Sequence, residues 1–210
     1  GGHDPLYAPQ SKEDSDIFNR FQLNGVKFIQ TWEGFVYHLT SRGSRRNTLD
    51  KAVDIYQDSP EWLAQNMRST RNFIRKWGHF VMHDPLLVPI VPPKYNVEIK
   101  ITNCKPQLLA ELEPWCDNIV VDLPVEAVNN YIKDEQQNTV IPLIEKINII
   151  KDADITIEID GNTFSNEEYN IIQQFSRIIE SQGAVGVFNL GNLKVTINKL
   201  QTHTDKLIKL

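Results

Sequence analysis

Four prolines stand within the nine residues from Pro85 to Pro93, in the run His-Asp-Pro-Leu-Leu-Val-Pro-Ile-Val-Pro-Pro. No helix interior or central strand tolerates that density, because each proline removes a backbone donor and fixes φ. The chain must therefore be assembled from pieces on either side of an extended, semi-rigid connector. Before it, Ser59-Pro60-Glu61 opens a helix that runs to Trp77, with proline at the favoured first position and Gly78 as the stop. Leu63, Met67, Ile74 and Trp77 are expected to form the buried side of that helix. Arg68, Arg71 and Arg75 recur at helical spacing and read as a basic stripe on its exposed face.

After the connector the periodicity alternates between strand and helix. Residues 96–102 read as a strand, 106–115 as a short helix and 118–123 as a second strand, which together make one βαβ unit. A helix follows over 125–137, a strictly alternating strand over 155–160, a turn at Asp160-Gly161 and an amphipathic helix over 166–181. Residues 185–189 and 193–198 bracket Leu190-Gly191-Asn192 as a hairpin. The expected fold class is α/β, with helices and short strands over 1–84, a linker over 85–95 and an accessory α/β domain with a mixed sheet over 96–210. That domain has apolar residues enough for its own core, so it is expected to fold when excised. Its contact surface is expected at an exposed sheet edge, the hairpin strand 193–198. Glu111, Glu113, Trp115 and Cys116 form no recognisable catalytic set.

The densest chemistry lies before residue 47. Ser11 stands three residues before Asp14 in an approximate capping box, and acids are favoured in a first helical turn by the helix dipole. Ile17, Phe18 and Phe21 follow at helical spacing, Asp16 precedes Arg20 by four, and Asn24-Gly25 is a stop signal. A helix is thus expected from about Lys12 to Asn24. Residues 26–32 and 35–40 are rich in aromatic and β-branched side chains and read as two strands around Glu33-Gly34, which sets His38 beside a basic loop. Arg42, Arg45 and Arg46 in that loop suit a bidentate clamp on a diphosphate, or an ordinary solvated loop. The acidic cluster is equally open to reading as a plain helix start, and His38 as a structural histidine.

Gly1-Gly2-His3-Asp4, then Glu13-Asp14-Ser15-Asp16 with Arg20 and Gly25, then Val36-Tyr37-His38, resembles the second half of the catalytic domain of family 2 glycosyltransferases with the GT-A fold. The family has an aromatic residue where His3 stands. The resemblance implies a partial GT-A-like segment at the N-terminus and transfer of a sugar from a nucleotide-sugar donor to the hydroxyl of a glycan or other acceptor. It assigns the general base to Asp14, or to Glu13 or Asp16. It assigns donor-diphosphate contacts to His38, Arg42 and Arg45, and a divalent cation, Mn or Mg, to His38. It also implies a nucleotide-binding half upstream of Gly1, so that the isolated chain is expected to be inactive. Asp14-Ser15-Asp16 and Asp152-Ala153-Asp154 fit the letters of that half's metal motif, but neither ends a strand.

A net charge of −5 argues against a general nucleic-acid binder. No apolar run approaches the roughly 20 residues that span a bilayer, and Cys104 and Cys116 read as free thiols in a reducing compartment. A cytoplasmic location and possible self-association through the C-terminal domain are the corresponding expectations. The rival to an enzyme is a non-catalytic interaction or acceptor-recognition module.

Overall fold

The computed structural model describes residues 2–37, 45 and 58–207. Helix α1 (Glu13–Leu23) is followed, beyond the described residue 45, by α2 (Pro60–Trp77). Then come β1 (Val97–Thr102), α3 (Pro106–Leu112), β2 (Asn118–Val121), α4 (Val125–Glu135), β3 (Ile155–Asp160), α5 (Asn166–Gln173), α6 (Phe175–Gln182), β4 (Gly186–Leu190) and β5 (Leu193–Ile197). Among the described residues the strands form one mixed sheet in the order β2-β1-β3-β5-β4. β1 is parallel to both β2 and β3, while β5 runs antiparallel to β3 and to β4.

Period-two alternation decides which face is packed. Val97, Ile99 and Ile101 of β1 and Ile155, Ile157 and Ile159 of β3 are buried, with Leu109 and Leu112 of α3, Val128 of α4 and Ile172, Phe175 and Ile179 of α5 and α6 in the same core. The alternate residues carry polar pairs such as Lys100 with Glu98 and Lys194 with Glu158, each at 2.9 Å. In register, Ile119, Ile99, Ile157, Val195 and Phe188 make one apolar row across all five strands. The expected single helix over 166–181 breaks at Gln174 into α5 and α6, and Ser165 and Glu168 form a reciprocal capping box at its start. Gly191, at φ 61, makes the tight turn between β4 and β5. β5 lies inside the sheet, so the outer strand of the hairpin is β4, contrary to the expectation for 193–198.

α2 begins and ends as its sequence dictates. Ser59 accepts from Trp62 N at 3.2 Å, Pro60 occupies the first turn, and Gly78 closes the helix at φ 77. Its faces differ from expectation. Leu63 and Met67 are exposed, and the buried side is Ser69, Asn72, Phe73, Ile74, Arg75 and Trp77. The arginine stripe is no solvated face. Arg68 donates to Ala8 O at 2.7 Å, and Arg75, 4% exposed, grips Glu113 through Nε at 3.1 Å and through its terminal nitrogen at 2.6 Å. Lys146 Nζ reaches the same carboxylate at 2.7 Å, Tyr131 donates to it at 3.0 Å, and Arg71 and Arg75 both bind Glu135. α2 is thereby docked on the α/β unit through buried charge.

The connector contains no strand, but it does not stay extended. His83 bridges to Pro89, and Asp84 Oδ1 accepts from Leu86 N and Val88 N, so residues 83–89 fold back into a tight loop. Val91 then packs on a second apolar cluster of Tyr7, Phe73 and Trp77. No strand forms over residues 26–37, contrary to the reading of 26–32 and of the described part of 35–40.

Candidate active site

α1 is entered through two residues in the left-handed region, Ser11 (φ 77) and Lys12 (φ 74). A non-glycine residue held there costs about 1–3 kcal/mol. Ser11 Oγ and Lys12 Nζ both donate to Asn66 Oδ1, at 2.7 and 3.1 Å, so α2 holds the bend in place. Burial lowers the pKa of the Lys12 ammonium. The expected capping box does not form, since Ser11 is turned to Asn66 and the residue at the cap is Lys12. The bend starts the helix abruptly with Glu13, Asp14 and Asp16 in its first turn.

At about 100° of rotation per residue, positions two apart on a helix fall on opposite sides. Asp16 is fully buried and Asp14 is exposed. Asp16 receives Arg20 Nε at 2.9 Å, Trp77 Nε1 at 2.9 Å, Lys76 Nζ at 2.6 Å and Tyr7 Oη at 3.4 Å. Its carboxylate ties α1 to α2 and to the N-terminal turn, which leaves it no access to an acceptor. The buried side of α1 is accordingly polar, made of Asp16, Asn19 and Arg20, whereas Phe18 and Phe21 stay partly exposed.

Glu13 and Asp14 line a groove of about 410 Å³ together with His3, Asp4, Pro5 and Tyr7. Glu13 Oε2 is shielded from solvent and has no hydrogen-bond partner among the described residues. Asp4 accepts from Leu6 N at 2.9 Å and from Lys76 Nζ at 2.8 Å. Burial pushes its pKa up, but Lys76, the Leu6 N–H and Arg20 outweigh that and hold it below the ordinary value. An ionised acid on the wall thus adjoins an exposed acid on the helix. His3-Asp4 and Glu13-Asp14, separated in sequence, meet here.

The structure does not bring every expected residue to this groove. Arg45 pairs with Asp58 at 2.7 and 3.2 Å, lies 4.7 Å over the Trp62 ring, and is absent from the groove lining. His38, Arg42 and Arg46 lie outside the described residues. Among the described residues no three His, Cys, Asp or Glu side chains gather closely enough to hold a metal ion. No helix there is long and apolar enough to cross a membrane.

Two features escaped sequence reasoning. One is Glu113, whose environment no local pattern announces. Burial raises its pKa, but Lys146 and Arg75 more than compensate and hold the carboxyl far below its usual range. The other is a mostly apolar cleft of about 540 Å³ among the N-terminal turn, the end of α2, the start of β1 and a short turn at Thr204–Leu207. Lys76, Lys94 and His203 on its walls are already paired with Asp16, Asp117 and Asp154. Burial pushes the Cys104 thiol up to about 11 and the Cys116 thiol up to about 12. Comparison of the chain with protein-family models, curated proteins and solved structures finds no match.

Proposed function

We propose that this chain is part of a sugar-nucleotide-dependent glycosyltransferase of the kind it resembles, a family 2 enzyme with the GT-A fold, in which Asp14 is the general base. The observation that carries the reading is the division of labour on α1. Asp16 is spent on anchoring the helix, while Asp14 stands exposed beside Glu13, Asp4 and His3 on one groove. In the transfer, Asp14 takes the proton of an acceptor hydroxyl as that oxygen bonds to the anomeric carbon of the donor. The bond from that carbon to the nucleoside diphosphate breaks, and the diphosphate leaves with the electron pair. The resemblance gives the leaving group to His38, Arg42 and Arg45 and to a Mn or Mg ion.

The test is Asp14→Asn in a version of the protein that includes the proposed nucleotide-binding half. Turnover should fall about 10²–10⁴-fold, as for a lost proton acceptor, with donor affinity nearly unchanged, because the base acts on the chemical step. Near-normal turnover would remove Asp14 from the role. A second reading, that the α/β unit is an interaction module, is favoured by the open edge of its sheet.

A further inference from the structure

The two edges of the sheet are treated differently. β2 is covered by residues 146–148: Ile119 N donates to Lys146 O at 3.0 Å, Asn148 N to Ile119 O at 2.8 Å and Val121 N to Asn148 Oδ1 at 2.7 Å. Among the described residues β4 is hydrogen-bonded to β5 alone. A bare edge offers backbone donors and acceptors to another strand, and proteins usually blunt it with lysine, proline or a covering segment. β4 carries no lysine or proline, and among the described residues no segment covers it. From Ser181 to Leu193 the chain has no ionisable side chain and no proline.

The edge is also where the core stops short. In the apolar row across the sheet, Ile119, Ile99, Ile157 and Val195 are at most 1% exposed, whereas Phe188 at its end is 38% exposed. Beside Phe188 an apolar groove of about 170 Å³ runs between α6 and the hairpin, lined by Ile178, Ile179, Leu190 and Val195. On the other face of β4, Val187 is 61% exposed.

We propose that β4 pairs antiparallel with β4 of a second copy of this chain, across a two-fold axis at Phe188, so that two sheets become one. The register is self-complementary. Phe188, whose ring leans over Gly186, meets its own copy and extends the apolar row, Gly186 falls opposite Leu190 of the other copy, and Val187 faces Asn189 on the open face. An uncharged strand raises no repulsion against itself. Because the pairing is isologous and the β2 edge is closed, assembly stops at two copies instead of growing into a fibre. Pairing of this kind does not depend on the transferase reading. The contact is short, so the dimer is weak and depends on concentration.

The test is sedimentation analysis of the 210-residue chain from about 10 μM to about 1 mM, a range suited to weak interfaces, with amide exchange of β4 read at both ends. The expected result is a monomer that becomes a dimer, with protection of the Val187 and Asn189 amides rising in step. Val187→Lys with Asn189→Lys sets lysine against lysine and should weaken dimerisation at least about tenfold, with circular dichroism unchanged. Val187→Glu with Asn189→Lys sets opposite charges against each other in this register and should restore it, which also covers a double-lysine variant that fails to fold. A chain monomeric throughout would overturn the proposal. So would a dimer indifferent to both variants, as expected of association through the exposed residues of 26–37.

Discussion

Residues 26–37 and strand β3 are built from similar side chains, yet only one of them is a strand. β3 alternates Ile with polar residues and buries every isoleucine, because β1 and β5 flank it in register and helices cover that face. In 26–37, Val26, Ile29, Trp32, Phe35, Val36 and Tyr37 are all exposed, Trp32 at 96%. Strand propensity describes fit to a pleated, half-buried surface, and without a partner edge it produces no strand. The same contrast holds for what fastens each region. The α/β unit is held by apolar rows, whereas α1 and the N-terminal turn add to the small apolar cluster of Tyr7, Phe73 and Trp77 a web of charge and hydrogen bonds around Asp16 and Lys76.

The sharpest way to break this contrast is at Glu113, where charge has been set beneath the apolar unit. Glu113→Ala leaves Arg75 and Lys146 buried without their shared acceptor and should destabilise the protein by about 3–5 kcal/mol, read from denaturant midpoints at constant m. A loss below about 1 kcal/mol would mean that α2 is not docked through this cluster.

Acid should act next, in a stated order. Burial, with Lys94 nearby, lowers the His79 pKa from 6.5 to about 4, although its contact with the Phe80 carbonyl works the other way. The folded state thus resists protonation that the unfolded chain accepts. That stability is complete above pH 6.5 and is lost as pH falls toward about 4, amounting to about 3 kcal/mol at 1.36 kcal/mol per pKa unit. The lowered carboxyls of Asp4, Glu113 and Glu135 add a second loss that begins only near their unfolded values of 3.8 and 4.5. Urea titrations between pH 7 and 3 should show both phases, and His79→Gln should remove the first alone.

Asp16→Asn should cost about 1.5–3 kcal/mol, the scale of a hydrogen bond to a charged group. Its partners keep other acceptors, Arg20 at Gly2 O and Lys76 at Asp4. Proton spectra should localise the change to Trp77 and the N-terminal turn, leaving β1 and β3 shifts in place. Spread across the sheet would refute the separation of the two regions.

The smallest effect on the core is expected from cutting the chain. Of the described buried side chains in the α/β core only Ile74 comes from before residue 94. Residues 94–210 alone should therefore give a dispersed amide spectrum and lose less stability than Glu113→Ala causes in the whole chain. Excision removes Arg75 together with its demand for a partner and lets water reach Glu113. Poor dispersion with dye binding would show that α2 belongs to that core.

Much of the fold was determined by sequence alone, because its signals act within a few residues. Pro60 and Gly78 bound α2, Leu190-Gly191-Asn192 turns the hairpin, and alternation over 155–160 marks β3. The acids of α1 were legible in the same way, and helical rotation sends Asp14 and Asp16 to opposite sides. Only the tertiary structure decided which side was buried, because Trp77, Lys76 and Tyr7, the partners that choose Asp16, lie up to 61 residues away. For the same reason Arg71 and Arg75 of α2 turned to Glu113 and Glu135, residues 26–37 formed no strand, and β4 became the open edge among the described residues. Each outcome depends on which distant groups arrive to satisfy a charge, a backbone donor or an apolar face, and no local pattern encodes that arrival.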